Sequence, residues 1–179
     1  TTMAIAQGPP IDISCPVRSF CALVDQAGSA SFQVNGSWRP TARTQSPLVN
    51  PRPISGIDCT SSRFCAVSTY DSTGLGGLIG WNGSRWRPLA ANSAQLDVDC
   101  ASPTFCVSAG AYNTIMVWDG QQQSVASVPS GGTLSAVSCP LPSFCRVVAA
   151  WGSVTTWDGT GWGAPSVVAP QVFNTKDIS

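Results

Sequence analysis

The sequence predicts an all-β fold assembled from four copies of one unit, and three observations carry that prediction. The first is the cysteines. All eight fall in pairs with five residues between them: Cys15 and Cys21, Cys59 and Cys65, Cys100 and Cys106, Cys139 and Cys145. Each pair has a Phe before its second Cys, at Phe20, Phe64, Phe105 and Phe144. The second is the period, since the pairs recur about every 40 residues, as an internal repeat does. The third is composition: charged residues make up only 10% of the 179, and Ser, Thr, Gly and Pro separate short apolar runs. Such a chain is many strands joined by turns.

Each unit resolves into four strands. The first runs into the first Cys (Ile11 to Cys15, Ile54 to Cys59, Leu96 to Cys100, Leu134 to Cys139), with the period-two alternation seen in Leu96, Val98 and Cys100. A tight turn follows, and the second strand starts at the Phe as FCALV, FCAVS, FCVSA or FCRVV, rich in β-forming residues. Gly28, Gly74, Gly110 and Gly152 break it, and Gly74 to Gly77 reads as a flexible turn. The third strand ends at Val34, Trp81, Trp118 or Trp157, immediately before Asn-Gly or Asp-Gly. Those dipeptides supply the positive φ angles of two-residue hairpin turns. The fourth strand begins at Trp38, Trp86, Gln123 or Trp162 and tends to run to a Pro, which suits a sheet edge.

Four such units, none able to bury both faces alone, are predicted to stack radially as a small β-propeller of disulfide-stapled repeats of about 40 residues. A β-sandwich and an open stack of repeats are the alternatives. The expected repeats are 11–53, 54–95, 96–133 and 134–169, in one domain over 1–179, with 170–179 as a tail. Residues 1–10 are expected to be a closing strand, because Met3 to Ala6 resembles Val125 to Val128 and Ser166 to Ala169. That strand would pair with the last repeat or be exchanged between two protomers, making a homodimer.

An even number of regularly spaced cysteines implies disulfides and an oxidising compartment outside the cytoplasm. Pairing within each unit follows from the approach of Cβ atoms across a tight hairpin. Zinc is disfavoured, since its cysteine pairs sit closer together and recruit His, of which there is none. Nine basic residues balance nine acidic ones, all Asp, so no field draws nucleic acid or an anionic membrane. No run reaches eighteen apolar residues, so any membrane attachment would lie outside this chain.

Without His, the Ser-His-Asp and Cys-His arrangements cannot form, and no cofactor-binding or phosphate-cradling loop is present; the domain is expected to be no enzyme. Carboxylates alone suffice for glycoside hydrolysis, so Asp12, Asp58, Asp97 and Asp99 are candidate binding residues if the first strands line a channel. Solvated or hydrogen-bonded strand ends are the plainer account of them. Trp81, Trp118 and Trp157 recur at one position, as core residues do, whereas Trp151 stands outside the repeat and is a candidate ligand-binding aromatic.

The unit Ser/Asp-Cys, five residues, Cys, then a Gly break and Trp-Asn/Asp-Gly resembles the SCPxxxFC repeats of secreted and membrane-anchored actinobacterial proteins. In particular it is similar to the extracytoplasmic sensor domains of mycobacterial receptor-type serine/threonine protein kinases. Ser14-Cys15-Pro16 with Phe20-Cys21, and Ser138-Cys139-Pro140 with Phe144-Cys145, are the fullest copies; Asp58, Asp99, Thr60 and Ala101 depart from the pattern. The resemblance implies an extracytoplasmic sensor or interaction domain acting by dimerisation or by binding a protein, peptide or glycan. A lectin-like propeller of the cell envelope is the alternative, and a carboxylate-based hydrolase the third.

Overall fold

The computed structural model describes residues 8–40, 53–91, 93–128 and 132–168, apart from the side chains of Pro40 and Trp151. The expected closing strand Met3 to Ala6 and the expected tail lie outside the described residues. The described residues form four antiparallel sheets, each of four strands in sequence order. Blade 1 holds β1 (Pro10–Val17), β2 (Phe20–Asp25), β3 (Ala30–Val34) and β4 (Ser37–Pro40). Blade 2 holds β5 (Ile54–Ser61), β6 (Phe64–Tyr70), β7 (Gly76–Trp81) and β8 (Trp86–Ala91). Blade 3 holds β9 (Gln95–Ser102), β10 (Phe105–Gly110), β11 (Thr114–Trp118) and β12 (Gln123–Ser127). Blade 4 holds β13 (Leu134–Leu141), β14 (Phe144–Ala149), β15 (Ser153–Trp157) and β16 (Ser166–Val167). The propeller fold and the within-unit disulfides are as expected: Cys15–Cys21, Cys59–Cys65, Cys100–Cys106 and Cys139–Cys145 each bridge the first two strands of one blade. Cys59 and Cys65 are direct cross-strand partners, as are Cys100 and Cys106, with Cα atoms 3.9 Å apart.

Side chains alternate between the two faces of a strand, so each blade has one face carrying its Phe and another carrying its disulfide. The Phe face of one blade packs on the disulfide face of the next. Phe20, Ala22, Val24 and Phe32 of blade 1 join Cys59, Cys65, Val67 and Ile79 of blade 2 in one core. Phe64, Ala66 and Leu78 join Cys100, Cys106, Met116 and Trp118 in the second. Ala109 and Ile115 join Cys139, Cys145 and Val147 in the third. The recurrent tryptophans belong to these cores: Trp118 is buried, while Trp81 and Trp157 lie half-buried against theirs. The first strands run side by side through the centre, β1 along β5, β5 along β9 and β9 along β13, with no comparable packing of β13 on β1.

Several local expectations need correction. Only blade 1 closes its β3–β4 connection with a two-residue turn, Asn35 (φ 50°) and Gly36 (φ 82°), inside the Val34–Ser37 pair. In blades 2 and 3 the flanking pairs are Trp81–Trp86 and Trp118–Gln123, and in blade 4 the isolated bridge Trp157–Trp162, which leaves four residues in each loop. There the Asn or Asp caps the loop through its side chain: Asn82 Oδ1 accepts the amides of Ser84 and Arg85, and Asp158 Oδ1 those of Thr160 and Gly161. Only the following Gly takes positive φ. The register therefore aligns Gln33, which faces Trp38, with Trp81, and not Val34 as the Asn-Gly dipeptide suggested. Gly76 and Gly77 are no flexible turn. They open the buried strand β7, where a Cβ would run into the carbonyl oxygens of Thr69 and Ala90, so only Gly fits so close an approach. In blade 4 the fourth strand starts at Ser166 and not at Trp162, which makes only the bridge to Trp157.

Candidate functional site

The inner strands bring the four candidate carboxylates into one row. Relative to the first Cys of each unit they occupy two positions, three residues before it (Asp12, Gly56, Asp97, Ala136) and one before it (Ser14, Asp58, Asp99, Ser138). Asp12, Ser14, Asp58, Asp97 and Asp99 each reach the backbone of the next blade. Asp12 Oδ2 accepts the Ile57 amide at 2.8 Å, and Ser14 Oγ accepts the Cys59 amide at 3.0 Å. Asp58 Oδ2 accepts the Cys100 amide at 3.0 Å, while its Oδ1 takes the hydroxyl of Ser14 at 3.0 Å. Asp97 Oδ2 accepts the Val137 amide at 2.8 Å, and Asp99 Oδ2 the Cys139 amide at 2.9 Å. Adjacent inner strands are thus joined by carboxylates and hydroxyls where a continuous sheet would use carbonyls. Charged acceptors make the stronger kind of hydrogen bond.

Gly56 explains why blade 2 carries no carboxylate three residues before its first Cys. A Cβ there would lie 3.3 Å from Asp97 Oδ1 and 3.5 Å from Asp12 Oδ2. The carboxylates of blades 1 and 3 therefore flank blade 2, and a third Asp would add like charge in the same space. That crowding shows in Asp97. Burial, more than the neighbouring charges of Asp12 and Asp99, pushes its carboxyl up to about 6, against the pull of the Val137 and Val98 amides. Burial also raises Asp99, with Asp58 adding to it, while the amides of Cys139 and Cys100 and the hydroxyl of Ser138 lower it. Chemically, then, the row holds blades together through partly desolvated acceptors. Among the described residues no three metal-ligating side chains converge.

Opposite the cysteine turns, the turns between the second and third strands of each blade (β2–β3, β6–β7, β10–β11 and β14–β15) form a rim. This end carries the residue that the repeat pattern hid. Tyr112, in the short helical turn Ala111–Asn113, is 81% exposed and has φ 57° and ψ 36°. Asn113 beside it is also left-handed, at φ 60°. The corresponding turns of blades 1, 2 and 4 place Gly28, Gly74 and Gly152 at positive φ. A left-handed Tyr is uncommon and costs of order 1 kcal/mol. Its ring lies over the turn of blade 2, 3.4 Å from where a Cβ of Gly74 would be. Exposed Leu75 follows that glycine, and exposed Tyr70 ends β6 at the same rim. Trp151 occupies the matching turn of blade 4, Ala150–Gly152, but its side chain is outside the described residues. The signal was present in the sequence: Ala-Tyr-Asn and Ala-Trp-Gly follow the second strands of blades 3 and 4 at one position.

Four disulfides point to an oxidising, extracytoplasmic setting. No helix among the described residues is long and apolar enough to cross a membrane. No protein-family profile and no curated protein matches the chain in sequence. Solved structures do match the fold. The computationally designed protein Ika4 is similar over 88% of this chain and 99% of its own, at TM-score 0.65 and 14% identity. The designed protein Ika8 is similar over 85% of this chain at TM-score 0.65 and 16% identity, and this chain spans 46% of its length. YCF48, in a structure with D1 peptide bound, is similar over 90% of this chain and 68% of its own at TM-score 0.51 and 12% identity. At these identities the likeness is one of fold alone: a small, disulfide-stapled, propeller-like domain.

Proposed function

We propose that this chain is an extracytoplasmic sensor and interaction domain that recognises a protein segment in extended form, with the Tyr112 rim as its contact surface. The observation that carries the reading is Tyr112 itself. A ring held in a strained backbone conformation and turned out to water is retained against both its backbone preference and its solubility cost, which is the signature of a contact residue. Leu75 and Tyr70 extend the apolar surface around it. The central carboxylates support recognition over catalysis, because their oxygens are already engaged as acceptors between blades. The bound peptide of YCF48 is a precedent for peptide recognition on a distantly similar fold. The repeats resemble those of receptor-type serine/threonine kinase sensors, and in such a setting binding at the rim would be passed to an attached cytoplasmic domain.

The test is to probe arrays of short peptides and of glycans with the chain and with Tyr112→Ala. Saturable binding to a subset of peptides, weakened roughly tenfold or more in the variant, is expected, since a buried aromatic anchor carries that much of an interface. Saturable glycan binding without peptide binding would replace this reading with the lectin one. Release of nitrophenol from aryl glycosides that stops in Asp97→Asn would replace it with the hydrolase.

A further inference from the structure

Four blades in a row make three interfaces, and the two faces left over are the two halves of a fourth. The disulfide faces of blades 2, 3 and 4 are covered, with Cys59, Cys100 and Cys139 at most 6% exposed. On blade 1 the corresponding Cys15 is exposed and Ile13 beside it is 51% exposed. The Phe face behaves the same way at the other end. Phe20 and Phe64 are buried and Phe105 half-buried, whereas Phe144 is 37% exposed and its strand partner Leu141 is 57% exposed.

The outer faces also differ from the covered ones in a matched way. At the position of Ala22, Ala66 and Val107, all fully buried, blade 4 carries the exposed Arg146. At the position of Trp81, Trp118 and Trp157, blade 1 carries Gln33, paired with Trp38. Within the chain these rows meet: Phe32, the strand partner of Ala22, lies 4.8 Å from the Trp81 ring and 6.2 Å from that of Trp86. Blade 4 set on blade 1 by the same rule would bring Arg146 and its partner Thr156 to Gln33 and Trp38. A guanidinium then has an amide oxygen to bind and an indole face to stack on, so the polar replacements complement each other. The inner row continues too. The Ser138 hydroxyl is bonded to Asp99 as that of Ser14 is to Asp58, and so presents the same acceptor to the Cys15 amide that Ser14 gives to Cys59.

We infer that a second copy of this chain covers both faces, blade 4 of each copy on blade 1 of the other, closing a twofold ring of eight blades. A fold of this kind also occurs in a chain of about twice the size, since this chain matches Ika8 over 46% of that chain's length. A twofold axis relates the two seams, so the assembly closes and does not grow. This assembly is independent of peptide recognition at the rim.

Sedimentation and native mass spectrometry test it on the full chain. Wild type is expected to be a dimer at micromolar concentration, and Ile13→Asp and Phe144→Asp each to raise the dissociation constant about 100-fold or more, with unchanged near-ultraviolet circular dichroism. Mixing these two variants should restore dimers, because the mixed pair keeps one intact seam, and only a head-to-tail geometry has that property. A wild-type monomer, dimers that survive both substitutions, a mixture that stays monomeric, or open polymers would each overturn the inference. Peptide binding measured on the monomeric variants is expected to persist, so failure of either reading is seen separately.

Discussion

Blades 2 and 3 are packed on both faces, while blades 1 and 4 are packed on one, and the same sequence unit has been adjusted to each situation. In β6 every residue from Phe64 to Thr69 is buried. In β14 burial alternates at the start, with Phe144 and Arg146 exposed beside buried Cys145 and Val147. The disulfide and the Phe are retained in all four units, but their surroundings pass from core to surface. The lesson is that the staple sets the strand pair, and the neighbouring blade sets what that pair is worth.

Exchanging residues between the two classes should break the comparison most severely. Ala66 is fully buried between blades 2 and 3, and Arg146 holds the same position on the open face of blade 4. Ala66→Arg should cost about 4 kcal/mol or more, since it forces an unpaired charge into a packed interface. Arg146→Ala should stay within about 0.5 kcal/mol, as surface changes do. Urea unfolding of both, at a concentration low enough for monomers, checks the contrast; equal effects would mean that the open face is covered in the monomer.

The disulfides sharpen the same point. All four close loops of the same length, with sequence separation 6, so the chain-entropy contribution is the same for each, about 2 kcal/mol. Replacing Cys100 and Cys106 by Ala also leaves a cavity among Phe64, Ala66 and Trp118, whereas replacing Cys15 and Cys21 empties space already open to water. The inner pair should cost about 1–2 kcal/mol more than the outer pair. Alkylation after brief mild reduction, mapped by mass, should label Cys15 and Cys21 first.

These contrasts also mark what could be read from the sequence. The repeat, the strand order and the pairing of the cysteines were legible, because each depends on residues within one hairpin. Phe20, Phe64, Phe105 and Phe144 do open second strands, as their spacing implied. What depends on the neighbouring blade was not legible. Asp12, Asp58, Asp97 and Asp99 do meet along the inner strands, yet their partners are amides about 40 residues away, and no local pattern encodes that bond. Outside blade 1 the expected two-residue turns failed for a related reason. Asn-Gly specifies a type of turn only once the register is known, and blade 1, where Gln33 faces Trp38, sets the dipeptide one residue later than blade 2, where Trp81 faces Trp86.

Acidity tests the inner row. Asp97, raised to about 6, holds its proton more tightly in the folded chain than in the unfolded one, so its contribution is fully present below about pH 4 and is lost as pH rises through 6. Asp99 is shifted in the same direction. Asp119 and Asp158 work the other way: loop amides, with the Thr160 hydroxyl foremost for Asp158, hold them below the usual range, so their stabilisation is lost as pH falls below 4. Stability should therefore peak near pH 4–5 and fall towards 7 by about 2 kcal/mol, the order that a shift of this size implies. Asp97→Asn keeps an oxygen for the Val137 amide but cannot ionise, and should flatten most of that fall. A wild-type profile that rises steadily from pH 4 to 7 would count against the assignment of Asp97 as a desolvated latch.

The smallest expected effect separates stability from recognition at one residue. Three of the four turns between second and third strands place a glycine at positive φ, and blade 3 alone places Tyr112 and Asn113 there. Tyr112→Gly should stabilise the chain by about 0.5–1 kcal/mol, because glycine adopts that conformation without strain and the lost ring is 81% exposed. Tyr112→Ala keeps the strain and loses the ring, so it should be neutral or slightly destabilising. Both should lose peptide affinity alike. If Tyr112→Gly is instead destabilised as much as Tyr112→Ala, the ring is holding the Gly74 turn in place, and its exposure reflects a packing role between blades 2 and 3 rather than a contact surface. A gain in stability paired with a loss of binding is the outcome that only a residue kept for its partner would produce.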